Sequence, residues 1–353
     1  MGDNDTRTDA KRLALQDAKR IALENVGTYL ESVTEVKNLQ ISRDELREYT
    51  AGILEVLEQN ARDSMEGTTH VVRVDVIANI DTDVVARQID TLRRNESAKE
   101  EIARARQETD RLRLELEIKT REIETLKLKP DIQAAIRYRQ QLLTQTDVND
   151  LLLRAWIILG GSETRISIEN STVEGMKQAR ILLERALTLD PSSFKAHHRM
   201  GILLRAEGQL DAAMQEFYEA LRLNPTHAST HNSLGRALQQ KGDIDGAIRE
   251  TKEAIRLSPD SYVYHNNLGI VLAADNPNAA KVQFQEALRL KPDYDLAHNN
   301  LGNILKQEGD LDGAAVEYRE AIRLNPNYAV AHYNLGEILA TKGQREEAAK
   351  EIR

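Results

Sequence analysis

The segment HNNLGNILKQEGDLDGAAVEYREAIRLNP, residues 298–326, decides the fold, because closely similar segments precede it along the chain. One of them, HNSLGRALQQKGDIDGAIRETKEAIRLSP, occupies residues 231–259. The prolines that close these segments recur at spacings of 34, 34, 33 and 34 residues: Pro191, Pro225, Pro259, Pro292 and Pro326. A fixed period of this length indicates stacked copies of one structural unit, each too small to bury its own apolar face.

Each repeat carries the pattern of two antiparallel helices. Small residues such as Gly302 and Ala314 in the quoted segment let the two helices cross closely, while Leu and Ile fill the groove between them. The turn contains a glycine suited to a left-handed helix cap, and the proline displaces its preceding residue from the helical region. The sequence therefore predicts a mainly α protein whose C-terminal part, residues 148–353, is an α-solenoid.

The repeats resemble the tetratricopeptide repeat (TPR) family, which has small residues at the eighth, twentieth and twenty-seventh positions and a proline near the thirty-second. The resemblance covers about residues 190–353, and a divergent copy upstream pairs a helix around Trp156 with residues 176–191 across an insertion. We expect about six repeats over residues 148–353, the first divergent and the last incomplete. The resemblance implies a groove that binds a protein or peptide.

Asparagines recur in the first helices as HNNLG or HYNLG, and such repeats are similar to those of the O-linked N-acetylglucosamine transferase superhelix. There an asparagine ladder holds the backbone of an extended peptide, and the resemblance implies this role for Asn267, Asn300 and Asn334. Their neighbours form a second set: Asn232, Asn266 and Asn299. The alternative is that the amides satisfy the ends of neighbouring helices. Three cations near the same surface would favour an acidic ligand: Arg205, Arg236 and Lys306.

Histidines also recur in register, once in each repeat: His197, His231, His265, His298 and His332. Equivalent positions in successive helix pairs should lie about 10 Å apart, since helix axes pack at about 8–10 Å. Zinc needs all its ligands about 2 Å from one ion, so consecutive histidines cannot share a metal. We therefore expect these histidines to have a structural role between helices.

Residues 1–92 predict a small α+β domain. Helical patterns in residues 6–32 and 42–52 precede the segments ILEVLEQ and HVVRVDVIANI, whose alternating polarity predicts an antiparallel strand pair. The stretches AKRIALENVGTYLESVTEVKN and VRVDVIANID resemble the N-terminal domain of flagellar assembly protein T and related bacterial lipoprotein-like domains. That resemblance implies a bacterial periplasmic, envelope or extracellular location, with Met1 an internal or processed start. The alternative is a cytoplasmic protein.

Residues 93–147 predict a long helix with a coiled-coil seam. Apolar residues recur at the a and d positions of a heptad: Ile102, Ala105, Leu112, Leu116, Ile123 and Leu126. A seam sustained over four heptads indicates a partner helix. The alternative is a single solvated helix supported by pairs of opposite charges four residues apart.

Composition excludes several classes of function. The net charge of -9 argues against nucleic-acid binding, and the absence of cysteine excludes disulfides, thiolate metal sites and cysteine nucleophiles. No apolar stretch is long enough to span a membrane, and no catalytic or cofactor-binding motif occurs. The sequence therefore favours a non-enzymatic protein-interaction scaffold without a cofactor. The alternative is a homo-oligomer or filament that assembles through the coiled coil and the open repeat ends.

Overall fold

The computed structural model describes Ala14, Leu15, Ala18 and residues 55–66, 69–79, 96–125, 129–159 and 173–351. The chain divides into two compact units, Met1–Gly208 and Gln209–Arg353, which are described separately below. Across the described residues the structure is mainly α, as the sequence predicts.

The first unit contains a pair of antiparallel strands. Strand β1 (Glu55–Glu66) pairs antiparallel with β2 (Thr69–Asn79), and Ala61 lies opposite Val74. This confirms the predicted strand pair. The two predicted helices of the 1–92 domain lie outside the described residues, apart from three helical positions in the first of them.

Two long helices follow and form an α-helical hairpin. Helix α1 (Glu96–Thr125) packs against α2 (Lys129–Ile158), and one buried cluster joins them: Leu112, Leu116, Leu142 and Leu143. The seam at Leu112 and Leu116 is therefore covered by the next helix of the same chain. Ile102, Ala105 and Ile123 lie on α1 without described side chains, and Leu126 is outside the described residues.

Helix α2 also belongs to the first helix pair of the array. Its C-terminal half packs against α3 (Val173–Leu189), and α4 (Phe194–Ala206) packs on both. The Arg199 guanidinium lies 5.1 Å from the ring centre of buried Trp156 and donates a hydrogen bond to the Leu152 carbonyl. Residues 160–172, the predicted insertion, are outside the described part of the chain. One continuous helix thus serves both the hairpin and the first repeat.

The second unit consists of further repeats. Its described helices alternate between first and second helices of successive repeats: α5 (Leu210–Leu223), α6 (Ala228–Lys241), α7 (Ile244–Leu257), α8 (Tyr262–Leu272), α9 (Pro277–Leu290), α10 (Asp295–Gln307), α11 (Leu311–Leu324), α12 (Ala329–Thr341) and α13 (Arg345–Glu351). Each first helix packs mainly against the second helix of its own repeat.

The turns inside the repeats follow from their residue types. Gly242 and Gly309 have φ values of +89° and +86°, the left-handed region that glycine adopts without strain. Asp243 and Asp310 then cap the second helices by accepting hydrogen bonds from backbone N–H groups three residues ahead. In the one 33-residue repeat, the second helix α9 begins at Pro277, and Asn276 caps it. Asparagine followed by proline therefore replaces the glycine turn.

Small residues set the distance between paired helices. A methyl group added at Gly302 would lie 2.7 Å from Cε1 of Tyr318, whose side chain is fully buried. Gly269 faces Phe284 in the same way in the preceding repeat. These aromatic side chains occupy the space that a larger residue on the first helix would need.

The close approach at Gly302 predicts a measurable loss of stability. Gly302→Ala should lower the free energy of unfolding by about 1–3 kcal/mol, because the buried Tyr318 ring cannot move away. Urea unfolding followed by circular dichroism measures the change. In a double-mutant cycle, Tyr318→Leu should reduce the additional cost of Gly302→Ala; equal costs in both backgrounds would contradict a steric origin.

The helical hairpin gives a second prediction. Leu112→Ala should cost about 2–5 kcal/mol, the usual range for a buried leucine. Leu114, which is exposed on the same helix, provides the matched control, and Leu114→Ala should change stability by less than about 0.5 kcal/mol. Since the contact lies within one chain, the thermal midpoint should not depend on protein concentration. A midpoint that rises with concentration would indicate pairing between chains.

Candidate functional site

Side-chain amides link the first helices of successive repeats in the second unit. Asn267 Nδ2 donates to Asn232 Oδ1 at 2.8 Å. The same bond recurs between Asn300 and Asn266 at 3.0 Å and between Asn334 and Asn299 at 3.1 Å. The predicted asparagines are therefore brought together as donor and acceptor pairs across repeat junctions. Their partners are other side chains, not the helix ends that the alternative interpretation proposed.

The two members of each pair differ in burial. The acceptors Asn232, Asn266 and Asn299 are buried, whereas the donors Asn267, Asn300 and Asn334 are only partly buried. Among the described residues, no group donates a hydrogen bond to Oδ1 of any donor asparagine. Asn267 and Asn300 also use only one of their two N–H groups. These two amides thus keep one acceptor and one donor for a ligand.

A second row of side chains flanks these asparagines. Residues three apart on a helix share a face. The residue that follows the repeated glycine of each first helix therefore lies on the same face as the partly buried asparagines, which we call the ladder. The residues of this second row are Arg236, Ile270, Asn303 and Glu337. Asn303 Oδ1 accepts hydrogen bonds from Tyr318 at 2.7 Å and from Asn334 at 3.2 Å. The polar surface is therefore continuous between α10 and α12.

The cations predicted to favour an acidic ligand do not form one cationic surface. Lys306 Nζ lies 2.7 Å from Glu337 Oε2, and its hydrogen bond holds the pKa of Glu337 below its ordinary value. Arg205 lies in the first unit and is buried, so it does not present its charge to solvent. Arg236 is partly buried on α6. The expectation of an acidic ligand is therefore weakened, because Lys306 is already paired with a carboxylate.

Two exposed apolar side chains near the ladder were not predicted from the sequence. Ile270 is 40% exposed one residue after Gly269, and Tyr333 is 53% exposed beside Asn334. The sequence offered one sign of these side chains, which is their position close to the ladder asparagines in the repeat. They give the ladder surface an apolar component.

The tyrosines at the repeat junctions were also not predicted from the sequence. Tyr262 and Tyr294 pack edge to face with ring centres 4.8 Å apart, and Lys291 Nζ lies 5.0 Å from the Tyr262 ring centre. Burial raises the pKa of Tyr328 to about 12, and it also raises the pKa of Tyr294. These phenols therefore stay neutral at physiological pH.

Two features are absent from the described part of the chain. No group of three or more His, Cys, Asp or Glu side chains there is arranged to hold a metal ion. No helix among the described residues combines the length and apolar character needed to cross a membrane.

Stacked helix pairs with a side-chain ladder along their first helices define the second unit as an α-solenoid of helical repeats, a class that binds partners on extended surfaces. A TPR repeat model matches residues 201–242 and 302–343, and a tetratricopeptide repeat model matches residues 228–261. Residues 201–261 and 302–343 therefore carry tetratricopeptide repeats, which confirms this part of the sequence prediction.

Several solved structures are similar to part of the chain, and the first of them shares its fold. The chain is 22% identical to Pseudomonas aeruginosa pilF, covering 59% of this chain and 90% of that one at a TM-score of 0.50. MamA is 27% identical over 43% of this chain and 90% of its own, at a TM-score of 0.39. YrrB, described as a TPR protein with an unusual peptide-binding site, is 25% identical over 48% and 88%, at 0.38. No curated protein matches the chain.

The amide pairs predict energetic coupling across a repeat junction. Asn266→Ala and Asn300→Ala should each destabilise the array, and the double variant should cost about 1 kcal/mol less than the sum, because both remove one hydrogen bond. Urea unfolding of the four proteins in the cycle measures the coupling. The control pair, Asn266 with Asn334, makes no mutual contact and should be additive. Additive effects in both pairs would contradict a stabilising hydrogen bond between Asn266 and Asn300.

Proposed function

We propose that this protein is a non-enzymatic scaffold that holds an extended segment of a partner protein against Asn267, Asn300 and Asn334. The observation that carries the proposal is the unused hydrogen-bonding capacity of Asn267 and Asn300. An amide with one free acceptor and one free donor matches the N–H and C=O groups of a peptide backbone. The resemblance to the O-linked N-acetylglucosamine transferase repeats agrees with this role.

The spacing of the repeats suggests how long the bound segment is. Neighbouring first helices lie about 10 Å apart, and an extended chain rises about 3.3 Å per residue, so one repeat spans about three peptide residues. Three asparagines then need a segment of about seven residues. Backbone contacts of this kind tolerate many sequences, and selectivity would come from the side chains beside the ladder.

The chemistry of the flanking row points to the composition of the segment. Ile270 and Tyr333 offer exposed apolar surface, while the Lys306 charge is offset by Glu337. A segment with apolar residues and little net charge therefore suits this surface better than an acidic one. The N-terminal resemblance further supports a bacterial periplasmic, envelope or extracellular location for the protein, with a cytoplasmic location as the alternative.

Self-assembly is the second candidate function, and one observation favours it. Tyr333 takes the register position of the buried Asn266 and Asn299, yet it is 53% exposed. Val330, one turn earlier on α12, is equally exposed at 53%. Another helix pair could stack on this surface, and a second copy of the chain could supply it. Light scattering and negative-stain microscopy test this: monodisperse monomers at micromolar concentration would contradict it, whereas filaments or rings would support it.

Peptide selection tests the proposed groove. A random twelve-residue phage-display library should yield peptides that bind the full chain, and fluorescence anisotropy gives their Kd. Each backbone hydrogen bond is worth about 1 kcal/mol and Asn267 and Asn300 would each make two, so Asn267→Ala and Asn300→Ala should each raise Kd about 30-fold. The triple variant at Asn267, Asn300 and Asn334 should raise Kd by more than about 100-fold.

Asn232→Ala is the matched control. It breaks the same amide pair from the buried side and leaves the partly buried Asn267 in place. It should lower stability but change Kd by less than about two-fold, because the lost hydrogen bond lies within the array. Equal loss of affinity in the Asn232 and Asn267 variants, or peptides that bind the triple variant normally, would contradict the proposal.

A further inference from the structure

Four histidines of the second unit each bridge two groups. Nε2 of His231, His265, His298 and His332 lies 2.9–3.0 Å from the carbonyl oxygen of the proline six residues earlier, in the loop that joins two repeats. Nδ1 of each faces a side chain of the second helix of the same repeat, at 2.6–2.9 Å: Glu250, Gln283, Glu317 and Glu351 respectively. Each imidazole therefore connects a junction loop to a second helix.

The chemistry of the two bonded groups decides the protonation state. A backbone carbonyl and a carboxylate are both acceptors only, and a neutral imidazole has a single N–H to donate. His231, His298 and His332 can satisfy both groups only when both ring nitrogens carry protons. His265 differs, because Gln283 carries an amide that can turn its NH₂ group towards a neutral ring.

We propose that His231, His298 and His332 are pH-dependent clasps, which close at three repeat junctions when the imidazoles are protonated and stabilise the stacking of the array. His265 is the built-in exception, closed in either protonation state. The device goes beyond the peptide groove and does not depend on it.

The charged groups around each clasp support this assignment. His298 faces Glu317 and also lies near Glu320, whose carboxylate is paired with Arg323 at 2.6 Å; Arg319 lines the same surface depression. His231 has the same arrangement with Glu250 and with Glu253, which is paired with Arg256 at 2.7 Å. Around His332 the facing acid is Glu351. Around His231 and His298, the second nearby carboxylate is paired with an arginine, whereas the carboxylate that contacts the imidazole has no arginine partner among the described residues.

The expected pKa shifts have one direction. The hydrogen bond with Glu250 raises the pKa of His231 above 6.5. Burial opposes protonation of His298 and His332, but their hydrogen bonds to Glu317, Glu351 and the proline carbonyls outweigh it and raise both pKa values. A raised folded-state pKa means that the folded array binds the proton more tightly than the unfolded chain. The clasps therefore stabilise the array fully below pH ~6.5, and this stabilisation is lost as pH rises through the folded-state pKa values.

Two substitutions in the full chain test the clasps: one replaces a glutamate with glutamine, and the other replaces a glutamine with glutamate. Titration of ¹³C-labelled histidine by NMR gives each imidazole pKa. His231, His298 and His332 should titrate above 6.5. Glu317→Gln should lower the His298 pKa because it replaces a carboxylate with a neutral amide, and Gln283→Glu should raise that of His265 for the opposite reason. His231 serves as the internal control and should not change in either variant.

Stability provides the second readout. Between pH 6 and 8 the urea midpoint of Gln283→Glu should fall more steeply than that of the unchanged protein, and the midpoint of Glu317→Gln should fall less steeply. A His298 pKa at or below 6.5, or one that Glu317→Gln leaves unchanged, would overturn the proposal. Should Glu317→Gln fail to fold, the titration of the unchanged protein and of Gln283→Glu still decides it.

Discussion

The close approach of a glycine on the first helix to a side chain on the second helix, seen in three successive repeats, is the constraint on which the second unit depends. Gly269 and Gly302 leave room for Phe284 and Tyr318, and these rings fill the space between the paired helices. A larger residue at either glycine would force these paired helices apart. Similar units stacked at a nearly constant period place equivalent side chains in rows, and the proposed peptide surface and the proposed pH response both arise from such rows.

Two rows of polar side chains connect the repeats, and they differ in chemistry. The amide row, such as Asn300 with Asn266, is neutral and does not depend on pH. The histidine row joins junction loops to second helices and includes bonds that require protonation. An array joined in both ways would keep its amide surface aligned at any physiological pH while its stability changes with acidity. Peptide binding and pH response would then be separable by mutation.

In the first unit, α2 has a similar connecting role. Its N-terminal half buries Leu142 and Leu143 against α1, and its C-terminal half carries Trp156 into the first repeat. A single helix therefore belongs to both packing arrangements. The hairpin is thus an extension of the array within this unit.

The sequence by itself determined the repeat, the glycine turns and the aspartate caps, because these depend on residues within a few positions of one another. It also identified the ladder asparagines as a set, from their register. Only the tertiary structure decided that Asn300 donates to Asn266, that Glu337 neutralises Lys306, and that Leu112 packs within its own chain. These contacts join residues about thirty positions apart, and side-chain pairing at that separation depends on how the repeats stack. A periodic pattern specifies which face a residue occupies, but not which neighbour it meets there.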